Sequence, residues 1–205
     1  MAKDQAPAND WLMPVRLIGE HIRLEPLTEH HLNDLAATCA DSEVLRWVIP
    51  SLVPTREGMQ FAYELAMLEH ARGTRLPFAQ VRIADAVAIG STSYLDVTPD
   101  HGRLEIGATF LARDVWRTAV NTESKLLMLT HAFDVLGCER VALKTDALNE
   151  RSQRAIERLG ATREGALRHH MRRSDGSWRD TVYYSILSSE WPGVRDRLTS
   201  RVARD

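Results

Sequence analysis

The chain has 205 residues, 44% hydrophobic and 26% charged, with a net charge of −2 and an isoelectric point near 6.5. That composition supports one ordinary globular domain with a buried core and excludes disorder along most of its length. The slight acidity excludes a whole-molecule basic field for nucleic acid or an anionic membrane, and no apolar run approaches the length of a bilayer span.

The N-terminus, M-A-K-D-Q-A-P-A-N-D, has no apolar stretch, so a cytoplasmic protein is expected. Residues 1–13 read as a loosely held arm and residues 14–205 as one domain. Cys39 and Cys138 are too few for a disulfide framework, and neither has metal-ligand spacing, so no metal is expected. His21 to Leu27 alternates Ile22, Leu24 and Pro26 against charged neighbours, which predicts a first strand. Thr28 is placed to cap a helix carrying Leu32, Leu35, Ala36 and Cys39 on one face, with Cys39 as a buried thiol. Thr55 begins a second helix through Phe61, Leu65 and Leu68, stopping near Gly73.

From Pro77 the hydrophobic period changes to two. The runs F-A-Q-V-R-I-A, A-V-A-I-G-S-T-S-Y-L-D-V and R-L-E-I-G-A-T-F-L predict three consecutive strands, with a turn at Pro99 to Gly102. Leu126, Leu129, Phe133 and Leu136 give a helix stripe that Gly137 stops; Val141, Leu143 and Thr145 follow as a strand. Ala155, Ile156 and Leu159 mark the next helix. The end reads as a hairpin turning at Ser174, Asp175 and Gly176, then a short helix from Ser189. The basic cluster from Arg168 to Arg173 belongs to that hairpin and reads as a solvated face. A meander followed by alternating strands and helices predicts α/β architecture with a mixed sheet.

The chemistry concentrates between Glu105 and Gly160. A strand opens through W-R-T-A-V-N-T-E-S-K into a helix, whose first turn aims orphan N–H groups at an anionic ligand. Thr118, Asn121, Thr122 and Ser124 add side-chain donors, and Arg117 can pair with a phosphate oxygen. Asn121 and Thr122 serve equally well as simple helix caps, and Glu123 fits beside a diphosphate only if it points away. In L-N-E-R-S-Q-R-A-I-E-R-L-G, Asn149 is an N-cap and Ser152 shares a helical face with Ile156 and Leu159. On the strand before the loop, alternation puts Leu104, Ile106, Ala108 and Phe110 on one face and Glu105, Gly107 and Thr109 on the other. Glu105 is then a candidate base or a partner in a cross-sheet salt bridge, for instance near Arg103 or Arg82. His169 and His170 have an imidazole pKa suited to proton transfer, and only one of two adjacent strand residues can face a given side.

These stretches resemble the GNAT N-acetyltransferases, in particular the branch of the ribosomal-protein N-terminal acetyltransferases (RimJ and RimL type). The resemblance covers about residues 15–188. It implies a single-domain α/β (α+β) fold: a mixed, mostly antiparallel sheet of six to seven strands, flanked by helices and splayed between strands four and five. It also implies acetyl-CoA as co-substrate, its pyrophosphate on Arg117, Thr118, Ala119, Val120, Asn121 and Thr122. The family pattern there is Gln or Arg, two residues, Gly, one residue, then Gly or Ala; Val120 and Thr122 replace the small residues. Asn149 would meet the pantetheine arm or order the strand-end backbone, Ser152 would support the departing thiolate, and a backbone N–H near Phe110 or Leu111 would face the acyl carbonyl. Glu105 is the first choice of base and His170, or its neighbour His169, the second. The ribosomal-type enzymes carry a Glu near Met171 that is missing here.

The function so implied is direct transfer of an acetyl group to a primary amine: a protein N-terminus, a polyamine or an aminoglycoside-like molecule. The rival is a non-catalytic acyl-CoA or small-ligand binding module with the same fold. Neither nucleic acid nor membrane is an expected partner. A homodimer is, since self-association is common among the resembling proteins; Trp191 either covers its interface or packs within the chain.

Overall fold

The structure is a computed structural model that describes residues 11–48, 52–173 and 175–204. Its frame is one eight-stranded sheet in the order β1-β2-β3-β4-β5-β6-β8-β7. The strands are β1 (Leu17–Ile18), β2 (Ile22–Pro26), β3 (Arg75–Arg82), β4 (Ala88–Thr98), β5 (Arg103–Leu111), β6 (Arg140–Asp146), β7 (Thr162–Arg172) and β8 (Trp178–Leu187). The count corrects the expected six to seven. The added strand is β1, whose two residues are too few to show a period. All pairings are antiparallel except β5 with β6.

Helices α1 (Leu32–Cys39), α2 (Ser42–Leu45), α3 (Arg56–Ala71), α4 (Ala119–Thr130), α5 (Glu150–Leu159) and α6 (Trp191–Val202) complete the fold. Thr55 caps α3 by accepting the N–H of Gly58 at 3.1 Å. Thr28 heads a 3-10 turn, Glu29–His31, from which α1 continues. The stripe from Leu126 to Leu136 extends α4 through a π turn, His131–Val135, and ends at Gly137 with φ +72.

The two sheet faces bury different cores. On one, Leu104, Ile106, Val141, Leu143, Val182 and Tyr184 pack with Met128 and Leu129 of α4, Ile156 of α5 and Val194 and Leu198 of α6. On the other, Ala79, Val81, Ala88 and Phe110 meet Leu32, Leu35 and Cys39 of α1 and Met59 of α3. Cys39 and Cys138 are buried free thiols.

Of the arm expected over residues 1–13, residues 1–10 lie outside the described residues. Trp11, within the same stretch, is fully buried in the first core. In the turn expected at Ser174 to Gly176, Ser174 also lies outside them, while Gly176 takes a φ of +82. Of the two readings of Trp191, packing within the chain is the one seen: it is buried, stacks on Phe133 at 5.3 Å and donates its indole N–H to Asp134. No described helix is long and apolar enough to cross a membrane.

Two irregularities of β5 shape the centre of the sheet. Between Ser91↔Phe110 and Ser93↔Gly107, two residues of β5 face one of β4, and Ala108 takes a φ of +49. This bulge reverses the alternation. Thr109 therefore joins the face of Leu104 and Ile106, Phe110 moves to the α1–α3 face, and Ala108 is exposed. A left-handed alanine costs about 1–2 kcal/mol, the kind of strain that collects at functional sites. The second irregularity is a splay. β5 and β6 pair only at Arg103↔Arg140, Leu104↔Val141 and Glu105↔Ala142, after which they part.

Candidate active site

The splay leaves one edge of β5 without a partner from Ile106 onward. The carbonyl of Phe110 faces β4 and accepts from Gln80 Nε2 of β3 at 3.2 Å, and Ala112 N–H donates to the Ile89 carbonyl of β4. Backbone direction alternates along a strand, so the amide of Leu111 faces the gap. Of the two expected donors, this places Leu111 at the splay and Phe110 against β4. The Leu111 carbonyl accepts the indole N–H of Trp116 at 2.9 Å, which closes the top of the gap.

Below the bulge lies a buried polar layer that periodicity could not reveal. Lys125 of α4 donates to Thr109 Oγ1 at 2.9 Å and Thr92 Oγ1 at 3.2 Å, while Ser124 bonds Gln80 at 2.7 Å. Burial pushes the Lys125 ammonium down to about 7.

The loop entering α4 puts its left-handed residue at Arg117, φ +67. Thr118 is the N-cap; its hydroxyl donates to the Val115 carbonyl and accepts the Val120 N–H. Ala119, Val120, Asn121 and Thr122 form the first turn in helical geometry, so the missing glycines are not needed for φ. The Val120 side chain is buried with Ile22, Ile89, Leu111 and Val115, leaving its position to act through the backbone. Glu123 does point away. Its carboxylate accepts N–H groups from Glu20, His21 and Ile22 at 2.6, 2.9 and 3.0 Å, binding α4 to the β1–β2 turn. A Cβ on Gly19 would lie 2.4 Å from its Cδ, so only glycine fits that approach.

Across the gap, Asn149 caps α5 by accepting the Ser152 N–H at 3.1 Å. Its side-chain NH2 is left to donate elsewhere. Ser152 is half-buried on the inward face with Ile156 and Leu159, and its hydroxyl has no partner among the described residues. The Arg151 guanidinium lies 3.6 Å over the Trp116 ring, a cation–π contact joining α5 to the loop. Burial lowers its pKa, Glu43 opposes that, and repulsion from Arg113, Arg117 and Arg46 adds to it. Four guanidinium groups thus lie within electrostatic reach of one another beside the loop, with Arg46 paired to Glu43 and Arg113 to Asp41. Spacing along the chain carries no signal for the Arg151–Trp116 pair, since 35 positions separate the two.

The sheet face away from α4 carries titratable groups beside the gap. Glu105 is buried and pairs with Lys144 of β6 at 2.9 Å; Arg103 pairs instead with Asp96, and Arg82 with Asp85 and Asp114. Burial raises the Glu105 pKa above the usual carboxylate range, and the charge of Lys144 opposes that rise. A Cβ on Gly107 would meet Glu105 Oε1 at 2.7 Å, so glycine lets the carboxylate lie back along the strand. Asp146 is held by Arg173 through two bonds of 2.6 and 2.9 Å, and its pKa is lowered despite burial by that pair and by the Leu148 N–H. Asp146 and Arg173 line a cleft of about 290 Å³ together with Arg46, Trp47, Leu148 and Ser177.

His170 does not join Glu105. It is an exposed residue of β7 bonded to Thr181 at 3.0 Å, and three strand spacings, about 14 Å, separate its strand from β5. His169, φ +51, stacks on Trp178 at 5.2 Å.

Comparison with known proteins agrees with this architecture. The family profile described as "Acetyltransferase (GNAT) domain" matches residues 21–162. The chain is 31% identical over 111 residues to YdaF of Bacillus subtilis (strain 168), named provisionally as a ribosomal N-acetyltransferase; the match spans 54% of this chain and 60% of that relative. A crystal structure of a provisional acetyltransferase from T. thermophilus is similar with 43% identity and a TM-score of 0.83, covering 92% of this chain and 97% of the other. The fold also matches Mycobacterium smegmatis RimJ in complex with CoA-disulfide at 19% identity and a TM-score of 0.80, over 93% and 96% of the two chains. With the profile spanning more than half of its length, over the splayed strands and both helix starts, the chain belongs to the GNAT acetyltransferase family.

Proposed function

We propose that the protein transfers an acetyl group from acetyl-CoA directly to a primary amine. The observation that carries this reading is the parting of β5 and β6 beyond Glu105↔Ala142, beside the first turn of α4. The donor set there fits a diphosphate: first-turn amides, the backbone of Arg117 and Thr118, and neighbouring arginines. When bound, acetyl-CoA supplies an acyl group activated as a thioester. Residues 117–122 hold the phosphates, and the side-chain NH2 of Asn149 meets the pantetheine arm. The Leu111 amide donates to the acyl oxygen as charge develops on it. Glu105, kept from full solvation by burial, accepts the proton that the amine must lose. Ser152 Oγ donates to the departing sulfur.

YdaF's provisional name supports a protein N-terminus as one acceptor class. The same family membership supports a soluble enzyme acting in the cytoplasm.

The test is thiol release from acetyl-CoA in the presence of an amine panel. Turnover with at least one amine is expected, and Glu105→Gln should lower kcat by about 10²-fold or more. Cofactor binding without turnover on any amine would instead establish the binding-module alternative.

A further inference from the structure

Arg179 lies on β8, on the same face as Thr181 and Tyr183, with Thr181 opposite Asp146 of β6. The residue is 7% exposed, and its Nε has no hydrogen-bond partner. No described carboxylate forms an ion pair with it, because Asp146 is taken by Arg173 and Glu105 by Lys144. Asp146 and Glu105 act on it only through space, and Arg173 repels it.

A buried charge without a partner is expensive, and an arginine cannot escape by losing its proton. The Nε edge of the guanidinium therefore lacks an acceptor within the fold, which an anionic group would supply. It lies within electrostatic reach of Asp146 and Arg173, two residues that line the cleft beside the splay. Neither buried acid on this side can satisfy a cationic ligand, since each already has its own cation. Asp175, at the rim, is exposed and accepts the Ser177 N–H.

We propose that Arg179 anchors a carboxylate of the acceptor, so that the acetylated amine belongs to an amino acid or to a peptide with an acidic N-terminal side chain. This rests on the acetyltransferase reading and narrows it. A planar guanidinium binds a carboxylate through two parallel N–H bonds, which fixes the direction of the neighbouring amine as well as its affinity. Polyamines and aminoglycosides lack the carboxylate and bring further positive charge to a cleft that Arg46 and Arg173 line.

The experiment compares acid and amide acceptors on the wild-type protein, with acetyl-CoA binding measured separately by calorimetry. Alanine against alaninamide tests a free amino acid; Glu-Ala-amide against Gln-Ala-amide tests a peptide side chain; spermidine is the polycation. At least a tenfold preference in kcat/KM for the acid is expected in one pair, and which pair identifies the source. Arg179→Met should abolish that preference through KM and leave acetyl-CoA binding intact, while Arg179→Lys should retain part of it. The wild-type comparison stands even if Arg179→Met does not fold. Equal rates for acid and amide, spermidine as the best acceptor, or no turnover of any of these amines while acetyl-CoA binds would each overturn the proposal. Failure to bind acetyl-CoA would strike at the acetyltransferase reading itself.

Discussion

With only two threonine hydroxyls as partners, the Lys125 ammonium titrates at about 7 in the fold, against an ordinary 10.5. Between those values the unfolded chain holds a proton that the folded chain has released, so stability rises with pH across that window. The slope contributed is at most about 1.4 kcal/mol per pH unit. Urea unfolding of the wild type and Lys125→Met should show this slope in the first and its loss in the second; parallel pH profiles would mean that Lys125 keeps its proton. Glu105 obeys the opposite logic in activity. Burial raises its pKa and Lys144 restrains the rise, so Lys144→Met should move the acid limb of kcat/KM to higher pH. An unmoved limb would take Glu105 out of the proton path. At this scale motif position singled out Asn149 and Ser152 as candidates, and strand alternation singled out Glu105. Lys144, Arg179 and Lys125 stayed hidden because their significance is a missing or distant partner, which spacing along the chain does not encode.

Elements were legible where one period ran uninterrupted. The α3 cap at Thr55, the α4 stripe and its stop at Gly137, and the terminal hairpin all follow from local chemistry. The bulge at Ala108 did not, because an extra residue opposite β4 is a property of the pair rather than of β5 alone. Its consequence was to misplace Thr109 and Phe110 by one face. Glu123 shows the same limit, since its three N–H partners lie about a hundred positions away. Glu123→Ala would leave those donors unpaired, and a loss of roughly 3 kcal/mol is expected at about 1–3 kcal/mol per buried group. Chemical denaturation measures it, and a loss below about 0.5 kcal/mol would mean that water replaces the carboxylate without cost.

For the molecule as a whole, the order of strands and helices was enough to anticipate a mixed sheet, and the GNAT resemblance its parting, which lies where β5 and β6 stop pairing. The charge balance across that gap was not legible. A chain with a net charge of −2 carries four arginines within electrostatic reach of one another, following α2, on α5 and in the loop between β5 and α4. Their proximity depends on tertiary contacts such as Arg151 on Trp116. The central claim is that this loop holds the phosphates of acetyl-CoA. Calorimetric titration with acetyl-CoA, CoA and desulfo-CoA tests it most directly. The account predicts micromolar binding that weakens at least about tenfold in Arg117→Ala, the equivalent of about 1.4 kcal/mol, and is weaker for desulfo-CoA than for CoA. No binding of any of the three to the folded protein would contradict it.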